Sequence, residues 1–78
     1  MQTIFVQIRC NPGTTYSVAD AIVVKEIHSE MYSTSGDFDL LVKLYLNDDV
    51  DIGRYVNEHI SSVPDIQHTT TILTFSPF

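Results

Sequence analysis

The sequence predicts an α+β fold of the ferredoxin-like βαββαβ type, a four-stranded antiparallel sheet with two helices on one face. Three observations predict it. Period-2 alternation marks strands over residues 2–10 and 38–46, and a β-branched run marks another over 67–75. Apolar residues at helical spacing lie after the first of these strands and again before the last. Gly36, among small polar residues, separates two strand-like segments with room only for a turn. The resulting order, strand-helix-strand-strand-helix-strand, is the split βαβ arrangement. Right-handed crossovers place both helices on the same side of the sheet.

In the first strand Ile4, Val6, Ile8 and Cys10 point one way, and Thr3, Phe5, Gln7 and Arg9 the other. Asn11-Pro12-Gly13 ends it, because Pro and Gly both break a ladder. Thr14 or Thr15 is expected to cap the first helix, whose apolar stripe is Val18, Ala19, Ala21 and Ile22. Val23 and Val24 can close that helix or open the next segment, and Lys25 and Glu26 fall in the connection. The second strand is expected over 27–34, with Ile27, Ser29, Met31 and Ser33 on one side and His28, Glu30, Tyr32 and Thr34 on the other. In the third, Leu40, Val42, Leu44 and Leu46 share a face opposite Asp39, Leu41, Lys43 and Tyr45. Asn47-Asp48-Asp49 is expected to start the second helix, since acidic residues accept its free N–H groups. Ile52, Tyr55, Val56, Ile60 and Val63 form its stripe, and Pro64 stops it. Gly53 costs this helix about 1 kcal/mol relative to alanine.

With 78 residues, a single domain over 1–78 is expected. A domain this small buries only about 60% of its unfolded surface, and oligomerisation is a common remedy. The face without helices carries Phe5, Leu41, Tyr45 and Tyr32, which implies a partner. A dimer packed sheet against sheet, of the α/β-barrel type, is the expected answer. Net charge is −6, and Arg9, Lys25, Lys43 and Arg54 are scattered, which argues against direct nucleic-acid binding and against anionic membranes. No apolar run is long enough to span a membrane, and strand-like sequence from Met1 leaves no visible signal peptide. Cys10 is the only cysteine, which fits a reducing cytoplasm and a small buried hydrophobe.

Chemistry concentrates in Tyr32-Ser33-Thr34-Ser35-Gly36-Asp37-Phe38-Asp39-Leu40-Leu41-Val42-Lys43. A glycine turn offers backbone N–H donors, and Asp37 and Asp39 offer carboxylates beside them. Together these can hold a zwitterion. The same residues are also ordinary hairpin chemistry, in which Asp37 satisfies only the turn's own backbone. His28, His59 and His68 lack short ligand spacing, and Asp48, Asp49 and Asp51 lack the glycine and distal glutamate of a calcium loop. No phosphate loop, Cys-His pair or nucleophile elbow is present, so no cofactor, metal or catalytic residue is expected.

The chain resembles the effector domain of the Lrp/AsnC, or feast/famine, transcription regulators, known as the RAM domain. The matching pieces are Pro12-Gly13, Val18-Ala19-Asp20-Ala21-Ile22, the block Tyr32 to Lys43, and Val63-Pro64-Asp65-Ile66 with Thr69-Thr70-Thr71. The Ser-Gly-Asp-Phe-Asp-Leu-Leu-Val run is the most specific of them. Two departures stand out: Lys25-Glu26-Ile27-His28 replaces an Ile-Pro-Glu-Val-like turn, and Phe38 stands where tyrosine is common. The resemblance is to the stand-alone form, without the helix-turn-helix of longer members. It implies an amino-acid sensor that modulates Lrp/AsnC-type transcription without touching DNA. Dimers would assemble into rings, often octamers, and could mix with full-length regulators. The effector would lie between neighbouring dimers, against Ser35, Gly36, Asp37, Phe38 and Asp39 and against Thr69 and Thr71. His68, beside that cleft, could select the ligand side chain or be a solvated surface group. Two other readings are carried: a small cofactor-independent enzyme on the same fold with His28 or His59 as base, and a ligand-free assembly module.

Overall fold

The computed structural model describes residues 1–78. The chain runs β1 (Gln2–Cys10), α1 (Thr15–Val23), β2 (Glu30–Ser33), β3 (Leu40–Leu46), α2 (Ile52–Val56) and β4 (Ile66–Leu73). One π turn, Asn57–Ser61, continues α2. All strand pairs are antiparallel, in the order β2-β3-β1-β4. The expected fold is present, with β1 and β3 central and β2 and β4 at the edges.

Alternation builds the core. Ile4, Val6 and Ile8 face Leu44, Val42 and Leu40 across the β1–β3 ladder, so their side chains share one side. Val18 and Ile22 of α1, Val56 of α2 and Ile60 of the π turn close over them. All 13 buried residues are apolar, with no polar or charged residue among them.

The opposite sheet face has no helix over it. Phe5 and Leu41 are half-buried there, while Tyr45 and Tyr32 are 46% and 54% exposed. A small polar network crosses this face. The Glu30 carboxylate accepts from the Tyr32 hydroxyl and pairs with Lys43 Nζ at 3.1 Å, and Lys43 Nζ sits 5.1 Å from the Tyr45 ring centroid.

Several boundaries differ from the sequence expectation. Asn47-Asp48-Asp49 forms a turn and does not open α2. Val50 N–H donates to the Asn47 carbonyl at 3.1 Å, which lets Val50 turn in against the core before the helix begins. Asp51 is the cap, accepting from Arg54 N–H at 3.2 Å. Thr14 occupies the N-cap of α1, but its hydroxyl donates to the Asn11 carbonyl at 2.7 Å and caps nothing. Helix α1 ends at Val23, and the chain reverses through Glu26 at φ 55°. Strand β2 therefore starts only at Glu30, not at residue 27. Strand β3 starts at Leu40, not at Phe38, because a closed loop precedes it. Strand β4 covers 66–73 where 67–75 was expected.

Candidate functional site

The loop between β2 and β3 is held by its own short hydrogen bonds. Thr34 N–H donates to the Asp39 carbonyl and its hydroxyl to the Phe38 carbonyl, both at 2.9 Å. Gly36 takes φ +98°, a left-handed conformation open to glycine without steric cost, and a Cβ there would touch nothing. Two further bonds tie the loop to the end of β1. Asp39 N–H donates to the Ile8 carbonyl at 2.8 Å, and Arg9 Nε–H donates to the Asp37 carbonyl at 2.8 Å.

The two aspartates have different surroundings. Asp39 is half-buried, and its Oδ2 accepts the backbone N–H of Cys10 at 2.7 Å. That donor sits at an irregularity. The β1–β4 register shifts between Arg9 and Cys10, with His68 opposite Arg9 and Ile66 opposite Cys10. The carboxylate supplies a partner there. Burial, with the Asp39 charge adding to it, pushes the Cys10 thiol above its ordinary pKa, so Cys10 is an unreactive core residue, as expected. The Asp37 carboxylate is exposed and makes no hydrogen bond or ion pair within the chain.

Asp37 and Phe38 border a cleft of about 350 Å³ at this end of the helix-free face. Its remaining walls are Gln7 and Arg9 of β1 and His68 and Thr70 of β4. Ser35 and Gly36 lie exposed in the same loop. Thr69 and Thr71 are elsewhere. They share a face, as their alternation predicts, but they stand opposite Ile8 and Val6 and therefore on the helix side. Thr69 Oγ1 lies 3.3 Å from Ser61 Oγ of the π turn. Sequence reasoning missed Gln7, Arg9 and Thr70. Their outward phase was legible, but their common neighbourhood depends on the β1–β4 register.

The other histidines take no part. His59 lies with its ring 4.3 Å from that of Tyr55, and His28 Nδ1 is buried without a hydrogen-bond partner. No group of three or more His, Cys, Asp or Glu side chains comes together to hold a metal ion.

Comparison with known proteins identifies the family and supports the fold. The profile described as "Lrp/AsnC ligand binding domain" matches residues 3–78. The chain belongs to the Lrp/AsnC family. Over 69 residues this Lrp/AsnC domain is 29% identical to the HTH-type transcriptional regulator FL11 of Pyrococcus abyssi, covering 88% of the chain and 45% of that protein. It thus spans about half the length of the curated relative it matches. Two solved structures are similar along nearly their whole length. TTHA0845 from Thermus thermophilus superposes with a TM-score of 0.89 at 29% identity, covering 100% of this chain and 98% of that one. FFRP-DM1 superposes with a TM-score of 0.87 at 27% identity, covering 96% and 100%. The family is one of transcription-regulator ligand-binding domains and is not enzymatic, so the enzyme reading is set aside. No helix is long and apolar enough to cross a membrane.

Proposed function

We propose that this Lrp/AsnC domain is a cytoplasmic amino-acid effector module that binds a free amino acid at the Gly36–Asp37 loop and couples its occupancy to assembly. One observation carries the reading. Asp39 is engaged by the fold, while Asp37, whose carboxylate is unpaired, borders a cleft whose size, about 350 Å³, falls within the range of small-molecule sites. The ligand ammonium would meet Asp37. Its α-carboxylate would meet backbone N–H groups at Ser35 and Gly36, with Phe38 against its carbon skeleton.

The helix-free face supports assembly. Phe5, Leu41, Tyr32 and Tyr45 together make an apolar surface suited to a second copy, sheet against sheet. Dimers would then close into a ring, an octamer in this reading. Thr69 and Thr71, on the far side of β4, would supply a second wall from a neighbouring protomer. Any ligand held between dimers stabilises the ring by linkage. An acidic chain of net charge −6 suits a partner of full-length regulators better than a direct reader of DNA.

The test is native mass and melting temperature in the presence of each of the twenty amino acids at millimolar concentration. A ligand at ten times its Kd adds about 1.4 kcal/mol. Each kcal/mol raises Tm by roughly 4–8 °C in a domain of this size. One amino acid that raises Tm or shifts mass, with the effect lost in Asp37→Ala, supports the reading. A chain indifferent to all twenty is an assembly unit without an amino-acid ligand.

A further inference from the structure

The cleft is lined mostly by residues with polar side chains. Of its six lining residues only Phe38 is apolar. Gln7 and Arg9 alternate on the outward face of β1, and Thr70 and His68 alternate on the outward face of β4. The register sets Gln7 opposite Thr70 and Arg9 opposite His68. Four hydrogen-bonding side chains thus form a two-by-two patch at the loop end of the sheet. His68 Nε2 lies 3.4 Å from Thr70 Oγ1 within it.

Arg9 decides the character of this patch. Its Nε–H donates to the Asp37 carbonyl, which holds the guanidinium beside the loop. Its remaining N–H groups make no hydrogen bond and no ion pair in the chain. They form part of a planar fork that matches a carboxylate bidentately. Arg9 is also one of only four Lys and Arg residues in a chain of net charge −6, so a cation is not placed here by abundance.

We propose that the ligand of this cleft is an acidic amino acid, aspartate or glutamate, whose side-chain carboxylate is taken by the Arg9 guanidinium with His68 and Gln7 beside it. The inference rests on the amino-acid reading above. The cleft's charges match such a ligand: Asp37 receives the ammonium, the loop N–H groups receive the α-carboxylate, and Arg9 receives the second carboxylate. A basic side chain would meet Arg9 as a like charge. An aliphatic one would cover Arg9, Gln7 and His68 without offering them an acceptor. Sites built from polar groups reject ligands that leave those groups unpaired. An amide side chain offers one acceptor oxygen to a fork built for two, and charge-assisted bonds are roughly twice as strong as neutral ones.

The experiment is calorimetric titration of the 78-residue protein with L-glutamate, L-aspartate, L-glutamine, L-asparagine, L-leucine, L-methionine and L-lysine. The better acid is expected to bind at least about tenfold more tightly than leucine, methionine or lysine, the ratio produced by one donor that the ligand covers and leaves unpaired. Arg9→Gln is expected to cost the acids about tenfold or more and to move the preference to the amides. Because Arg9 also holds the Asp37 carbonyl, His68→Gln provides a second variant outside the loop's bonds. It is expected to weaken acid binding several-fold with the melting temperature of the unliganded protein unchanged. Tightest binding of a neutral or basic amino acid overturns the assignment of ligand class and leaves the amino-acid reading standing. An Arg9→Gln loss equal for every ligand assigns Arg9 to the α-carboxylate and also overturns the assignment. No binding by any of the seven overturns it as well, and the twenty-amino-acid screen then decides whether the broader reading survives.

Discussion

The Asp39 carboxylate accepts the backbone N–H of Cys10 at 2.7 Å, joining the foot of β3 to the irregular end of β1. This bond separates the roles of two aspartates that look equivalent in the Gly36-Asp37-Phe38-Asp39 run. One carboxylate is built into the fold, and the other faces solvent beside a cleft.

Their substitution is expected to separate the two roles. Asp39→Ala leaves the Cys10 N–H without its partner and should cost about 1–3 kcal/mol, whereas Asp39→Asn keeps an acceptor and should cost less. Asp37→Ala should change stability by no more than about 0.5 kcal/mol, as an exposed substitution. Urea denaturation of the three variants measures all of this.

Two glycines are expected to respond in opposite directions to alanine. Gly36 holds φ +98° in open space, so Gly36→Ala is opposed by backbone conformation alone and should cost about 1–2 kcal/mol. Gly53 lies in α2 without positive φ, and a Cβ there would sit 3.8 Å from Asp51 Oδ1, an ordinary contact. Gly53→Ala should stabilise by roughly 0.5–1 kcal/mol through helix propensity. Thermal melts of both variants provide the comparison.

The network on the helix-free face predicts a pH dependence. The Tyr32 hydroxyl, and after it Lys43, holds Glu30 below its ordinary value of 4.5. A depressed carboxylate stabilises the fold above that ordinary value, and the contribution fades as pH falls from 4.5 through the lower folded value. Tyr45, and after it Glu30, raises Lys43 above 10.5, while Glu30 raises Tyr32 above 10.0. Those contributions are present below the ordinary values and are lost as pH rises through the folded ones. Glu30→Gln should therefore flatten the acid limb of a Tm-against-pH curve below pH 4.5. The effect should be small, because the groups are exposed and screened by salt.

The Cys10 thiol is expected to be inert in the native protein. It is 5% exposed, and burial together with Asp39 disfavours its thiolate. Labelling by a disulfide reagent at neutral pH should run at least about tenfold slower than in urea, because only the thiolate reacts. Asp39→Ala should speed native labelling, since it removes a negative charge and loosens the end of β1.

Much of this molecule was determined by the sequence alone. The alternation of Ile4, Val6, Ile8 and Cys10 and of Leu40, Val42, Leu44 and Leu46 assigned both buried faces correctly. Gly36 marked the turn, and the order of elements marked the fold. These are local properties, because the strand period of two and the freedom of glycine act on neighbouring residues. Tertiary structure decided the rest. The start of α2 depends on Val50 finding the core, and the task of Asp39 depends on a donor far away in the chain. The neighbours of Asp37 depend on the β1–β4 register, which sets Arg9 against His68 and Gln7 against Thr70 and turns Thr69 and Thr71 to the helix side. Shifting a strand by a single residue exchanges its two faces, and only long-range packing selects the register. Asp37 and Phe38 could thus be read in the sequence, but the polar patch opposite them could not.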